Sequence, residues 1–349
     1  MPKISHLLSG SIVGLLFISL AATAAPVALN PAHPDHYVVV KGDTLWDIAA
    51  RFLRDPWRWP DVWYVNPQIN NPHLIYPGDT LSLTIVNGRP RIQISRRGGT
   101  LKLSPRVRAT PLDDAIPTIP INAIEQFLTH PYVMEKEALE HAPYVVHFVD
   151  EHILGGAGNG IYVRSIGDSA TKRYEVVKPG KPYKDPDSGE ILGYEALFVG
   201  EADLQRTGDP ATLLLTRTEM ETSIGDRLLP VTEQRKALTS FHPKAPDVEV
   251  DGRIISVLNG VSQIGQYNVV VLNKGEADGM KAGDVLRIFQ GGATIRDQVT
   301  PERGDTVTLP YEEAGVLMVF RTFKRVSFAL VMYATRAIHV LDRVRNPDA

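Results

Sequence analysis

Two hydrophobic rhythms divide this chain of 349 residues. The first is short and mixed. Tyr37-Val38-Val39-Val40 is aromatic and β-branched throughout and predicts a strand. Gly42 turns the chain, and Asp43 or Thr44 can cap a helix whose apolar positions Leu45, Ile48, Ala49 and Phe52 keep helical spacing. Asp55-Pro56 stops that helix. Pro60 suits the first turn of a second short helix carrying Val62, Trp63 and Val65, and Asn66-Pro67 ends it. A loop from Gln68 to Tyr76 and a turn at Pro77-Gly78 lead to a closing strand, Thr80 to Leu83. The expectation is a βααβ unit over residues 36–84.

The second rhythm begins at Tyr144. Strand-like runs recur at Tyr144–Val149, Gly160–Ser165, Tyr174–Val177, Leu192–Ala202 and Thr212–Thr216, with Gly, Pro and Asp between them. The text then repeats. Leu192 to Val199, Ala211 to Leu214, Thr218 and Ile224-Gly225-Asp226-Arg227-Leu228 are echoed by Ala314 to Val319, Phe328 to Val331, Thr335 and Val340-Leu341-Asp342-Arg343-Val344. This points to two copies of one β unit, residues 144–230 and 248–345, joined by Glu233 to Asp247. The fold class expected is therefore α+β: a small βααβ module followed by a mainly β, duplicated C-terminal region.

Residues 88–143 lie between these rhythms and read as a basic, Pro-bearing linker with short helices. Arg89, Arg91, Arg96, Arg97, Lys102, Arg106 and Arg108 occur there without an acid among them. Such a run can meet acidic partners, anionic glycan peptides or a membrane surface, or can be a solvated face. Ile121, Ile124, Phe127 and Leu128 have amphipathic helical spacing and need a surface to cover them. Met134 to His141 is a second helix candidate.

Composition adds three limits. Residues 1–24 read as a cleaved signal peptide, with Lys3, an apolar stretch from Ile12 to Leu20 and the small residues Ala22-Thr23-Ala24, which predicts a periplasmic, wall-associated protein. There is no cysteine, so disulfides, thiol nucleophiles and a lipidated cysteine are excluded. The net charge of −3 argues against broad nucleic-acid binding, which needs a basic excess to displace counterions.

Residues Tyr37 to Ala49 and Asn66 to Leu81 together resemble the LysM domain, two separated signatures in the right order at the right distance. The resemblance implies binding of N-acetylglucosamine-containing glycan strands, as in peptidoglycan, in a shallow groove between two loops. Carried over, the glycan-binding candidates are Gly42, Asp43, Thr44 and Leu45 in one loop and Ile69, Asn70, Asn71, Leu74 and Ile75 in the other. The chemistry suits an uncharged N-acetyl sugar. Gly42 permits close backbone approach, the first-turn amides of the helix are free donors, and Leu45 and Ile75 offer apolar contact. Each also has a structural reading: Asp43 and Thr44 as caps, Gly42 and Gly78 as turns. The four tryptophans, Trp46, Trp57, Trp59 and Trp63, all fall in this module. Core or rim packing accounts for them better than stacking on sugar.

No catalytic set emerges. His147, Asp150, Glu151 and His152 form the one local cluster of metal-capable residues, better read as a polar rim, and no His-Glu-x-x-His pattern occurs. Gly155 to Gly160 lacks the lysine of a phosphate loop, and Asp185 to Glu190 suits a hairpin turn better than a calcium site. No cofactor is expected. The whole arrangement resembles the type IV pilus secretin-associated family, with a C-terminal region similar to the flagellar protein FlgT. The residues behind this include Val177 to Tyr183, Ile224 to Pro230 and Gly275 to Phe289. The resemblance implies a non-enzymatic anchor that tethers the secretin ring at the outer membrane to the cell wall. The rival is a peptidoglycan-remodelling enzyme or an activator of a wall hydrolase.

Overall fold

The computed structural model describes residues 27–63, 75–95, 116–129, 133–167, 171–231, 241–258, 263–292, 294–300 and 304–347. The expected signal peptide, residues 96–115 of the expected linker and most of the expected joiner between the β units lie outside these residues.

The N-terminal module contains strand β1 (His36–Val38), helix α1 (Leu45–Phe52), a 3-10 turn at Pro56–Arg58, helix α2 (Trp59–Val62) and strands β2 (Thr80–Val86) and β3 (Arg89–Ser95). The strands form one antiparallel sheet in the order β1-β2-β3. Val38 stands opposite Thr80, and Leu81 opposite Ile94. Leu45, Ile48, Ala49 and Phe52 are all buried, as their spacing requires, and share a core with Trp59, Val62, Trp63, Ile75, Leu81 and Ile92. Trp59 and Trp63 meet edge to face at 5.7 Å.

Strand β3 corrects the expected linker, which was to start at residue 88. Arg89 and Arg91 disguise a strand whose alternate residues Ile92 and Ile94 face the core. The arginines take the outer face, and Arg91 donates to the Asp61 carbonyl at 2.9 Å. Helices α3 (Ile121–Thr129) and α4 (Lys136–His141) follow, with strand β4 (Val133–Met134) between them, so Met134 begins in a strand and not in the expected helix.

Two barrels make up the rest. The first contains β5 (Tyr144–Phe148), β6 (Gly160–Arg164), β7 (Arg173–Lys184), β8 (Ile191–Arg206), β9 (Ala211–Thr218) and β10 (Arg227–Pro230). Pairing of β8 with β9 closes them into the ring β5-β6-β9-β8-β7-β10, and β4 adds to β8 outside it. The second contains β11 (Asp251–Val257), β12 (Val269–Leu272), β13 (Val285–Gln290), β16 (Glu312–Thr322), β17 (Ser327–Ala334) and β18 (Arg343–Arg345), closed as β11-β12-β17-β16-β13-β18. A hairpin of β14 (Thr294–Arg296) and β15 (Thr306–Thr308) stands apart from its ring. Taken in chain order, the six strands of each ring connect identically.

The equivalence reaches single hydrogen bonds. Asn159 accepts from the Gly156 amide and Asn268 from the Gly265 amide, each at 2.8 Å. Asp226 accepts from the Ser223 amide at 2.7 Å and Asp342 from the His339 amide at 2.8 Å. The Val145 amide donates to the main-chain carbonyl of Asp226 as the Ile254 amide does to that of Asp342. The glycine equivalent to Gly315 is Gly200, further along β8 than the run beginning at Leu192 suggests. Gly200 pairs with Thr218 and Gly315 with Ala334, the last residue of the following strand in each case.

Burial pushes the carboxyls of both Asp226 and Asp342 above the ordinary aspartate range, against the pull of the amides they accept. A raised folded-state pKa means the native protein holds the proton longer than the unfolded chain. Stability from these groups therefore falls as pH rises from the ordinary aspartate value through the folded one. Asp226→Asn and Asp342→Asn keep an acceptor oxygen and remove the buried charge. They are expected to equal or exceed the wild type in stability at pH 7, with the difference vanishing below about pH 4. The alanine variants strand the amide and are expected to lose about 1–3 kcal/mol. Urea unfolding at both pH values reads all four outcomes.

Candidate functional site

The first candidate loop is built around the start of α1. Gly42 sits at φ +99°, a left-handed conformation that favours glycine. A Cβ there would meet nothing within 4 Å, so the turn, and not close approach, is what requires glycine. Asp43 Oδ2 accepts from the Tyr37 hydroxyl and the Val40 amide, both at 2.9 Å. Burial, with the hydrogen bond and charge of Asp43, raises the Tyr37 hydroxyl above its usual pKa. Thr44 is the N-cap. Its Oγ1 accepts from the Asp47 amide at 3.1 Å and its hydroxyl donates to Asp47 Oδ2 at 2.8 Å. Both side chains are thus committed to holding the loop.

Leu45 and Ile75 are 4% and 0% exposed and belong to the module core. With Ile116 packed in the same core neither presents apolar surface, and their backbone groups are the polar ones at this edge. The amides of Leu45 and Trp46, in the first turn of α1, have no partner within the helix, and the Ile75 carbonyl precedes β2. Ile69, Asn70, Asn71 and Leu74 lie outside the described residues.

These backbone groups are engaged by a segment absent from the sequence expectation. The Leu45 amide donates to the Pro117 carbonyl at 2.9 Å and the Trp46 amide to the Thr118 carbonyl at 3.1 Å. The Ile116 amide donates to the Ile75 carbonyl at 2.9 Å. Ile116 enters the module core, while Ile119 is fully buried beside Trp46 in a different cluster.

That cluster joins the module to the second barrel. It contains Trp46, Ile119, Ile124 and Phe127 together with Phe320, Phe328 and Met332, and Trp57 packs against it. Here α3 finds the cover its apolar face demanded. Polar contacts frame the junction. The Tyr267 hydroxyl donates to Asp47 Oδ1 at 3.2 Å, Arg287 pairs with Asp55 at 3.3 Å, and Arg321 donates to the Phe127 carbonyl at 2.8 Å. The Asp185–Glu190 turn joins the two barrels: Asp185 accepts from the Asp187 and Ser188 amides as a hairpin turn, and Glu190 pairs with Arg325 at 2.5 Å. Elsewhere, the His147 ring lies 2.7 Å from the Phe148 carbonyl. Among the described residues no three His, Cys, Asp or Glu side chains gather as metal ligands would.

Comparison with known proteins places the module. Residues 37–84 match the LysM domain family. A 60-residue stretch is 40% identical to the uncharacterized protein YqbP of Bacillus subtilis (strain 168), covering 14% of this chain and 27% of that protein. The match thus spans about a quarter of that relative's length. Residues 37–84 thus match a family of binding modules, not catalytic ones, and the match supports glycan binding by this part of the chain.

Proposed function

We propose that this protein is an exported, non-enzymatic anchor of the periplasm. It grips peptidoglycan with its LysM domain and holds the secretin ring of a type IV pilus machine at the outer membrane through its β region. The observation that carries this reading is the LysM domain bonded directly onto a barrel through Trp46, Asp47 and Asp55. A module packed on its neighbour in this way transmits force, which suits a tether. The identity of the tethered partner is supported by the resemblance of the C-terminal sequence to secretin-associated and FlgT-like proteins. Two arms test it. The full chain is used as bait in a detergent extract of outer membranes, where capture of a secretin multimer is the expected result. The same chain is incubated with purified sacculi, where turbidity should stay constant. Release of soluble muropeptides would replace the anchor with the remodelling enzyme.

A further inference from the structure

We infer that residues 116–119 occupy the glycan groove of the LysM domain, so that this chain is closed to sugar until the segment is displaced. The inference rests on the glycan reading above and concerns the regulation of that site.

The segment satisfies the first-turn amides of α1 that the sequence offered to sugar, and with them the Ile75 carbonyl. It gives one N–H, from Ile116 to the Ile75 carbonyl, and two carbonyls, Pro117 to the Leu45 amide and Thr118 to the Trp46 amide. An N-acetyl group offers the same chemistry, one amide N–H and one C=O on a compact, uncharged unit. A peptide and an acetamido sugar therefore compete for the same donors and acceptor. The two cannot both be satisfied, because the Leu45 and Trp46 amides each have one proton to donate and both are given to the segment, which also fills the space in front of them.

Three features hold the segment in place. Ile116 and Ile119 anchor its ends in two different cores. Pro117 and Pro120 restrict its backbone, which lowers the entropy lost on docking. Beyond it, α3 is bound to the second barrel through Phe127, whose carbonyl accepts from Arg321. The seat of the occluding segment is thus on the β region, and an event that moves α3 off the barrel would free the groove.

Amide hydrogen exchange on the full chain, with and without a soluble N-acetylglucosamine tetramer, tests this. Without sugar, the Leu45, Trp46 and Ile116 amides are expected to be protected. At saturating sugar, Leu45 and Trp46 should stay protected while Ile116 loses its acceptor and exchanges at least tenfold faster. In parallel, Ile119→Asp places a charge where none can be solvated, and should raise the affinity for the tetramer at least tenfold over wild type. If this variant fails to fold by circular dichroism, the exchange result on the wild type decides alone. Sugar bound by the wild type with Ile116 exchange unchanged overturns the inference and leaves the glycan reading intact. Absence of sugar binding by both a folded variant and the wild type overturns the glycan reading and the inference with it.

Discussion

Trp46→Ala is expected to cost about 3–5 kcal/mol and to split the unfolding of the LysM domain from that of the second barrel. The geometry of α1 explains why. Leu45, Ile48, Ala49 and Phe52 form the stripe that faces the module's own core. Trp46 follows Leu45 by one residue, about 100° around the helix, and so leaves that stripe. It is nevertheless 2% exposed, because it is buried against α3 and the barrel. The polar contacts beside it contribute less. Arg287 and Asp55 are each partly exposed, and such pairs are worth about 0–1 kcal/mol. Tyr267→Phe, which removes the hydrogen bond to Asp47, should cost about 1 kcal/mol. Calorimetry separates these outcomes. The wild type should unfold the module and barrel together, and Trp46→Ala should show two transitions. A single transition with an unchanged midpoint in the variant would mean that Trp46 does not couple the two.

Gly200→Ala and Gly315→Ala are expected to destabilise their barrels by similar amounts, about 2–3 kcal/mol each. A Cβ on Gly200 would lie 2.2 Å from the Arg217 carbonyl oxygen, and one on Gly315 2.4 Å from that of Tyr333. Both obstacles are backbone, so a neighbouring strand must move and no rotamer change relieves the overlap. Both glycines lie just before irregularities in pairing, between Glu201 and Ala202 in β8 and between Val316 and Leu317 in β16, where a long strand bends. By contrast, Gly42→Ala meets open space and should lose only about 1 kcal/mol, from its positive φ. Chemical denaturation of the three variants tests the equivalence of the barrels. A large cost at one barrel glycine and none at the other would show that shared strand order does not extend to shared packing.

The sequence made the local features legible and hid the long-range ones. The α1 stripe, the Thr44 cap and the Pro77-Gly78 turn are each encoded within a few residues, and each forms as its pattern requires. The two-fold repetition was visible at Ile224–Leu228 and Val340–Val344, where the turn geometry itself depends on Asp226 and Asp342. Strand β3 was masked by its outward arginines, although the alternation of Ile92 and Ile94 carried the signal. Strand β7 runs on through Pro179 and Pro182, past the Val177 end of the expected run; pairing with β8 is irregular there, which accommodates the prolines. The contacts of residues 116–119 with the candidate groove reach across roughly forty to seventy positions, and no local pattern records those. Trp46 offered a hint, as a large apolar residue out of phase with its own helix stripe. In an amphipathic helix such a residue asks for a second partner, and the barrel supplies it.

The most direct test of glycan recognition is sedimentation of the full chain with purified peptidoglycan sacculi, with and without excess soluble N-acetylglucosamine tetramer. The expected result is that the protein pellets with sacculi, that the tetramer returns it to the supernatant, and that Ile119→Asp pellets at lower sacculus concentration. A folded chain and a folded variant that both stay in the supernatant at every sacculus concentration would contradict it.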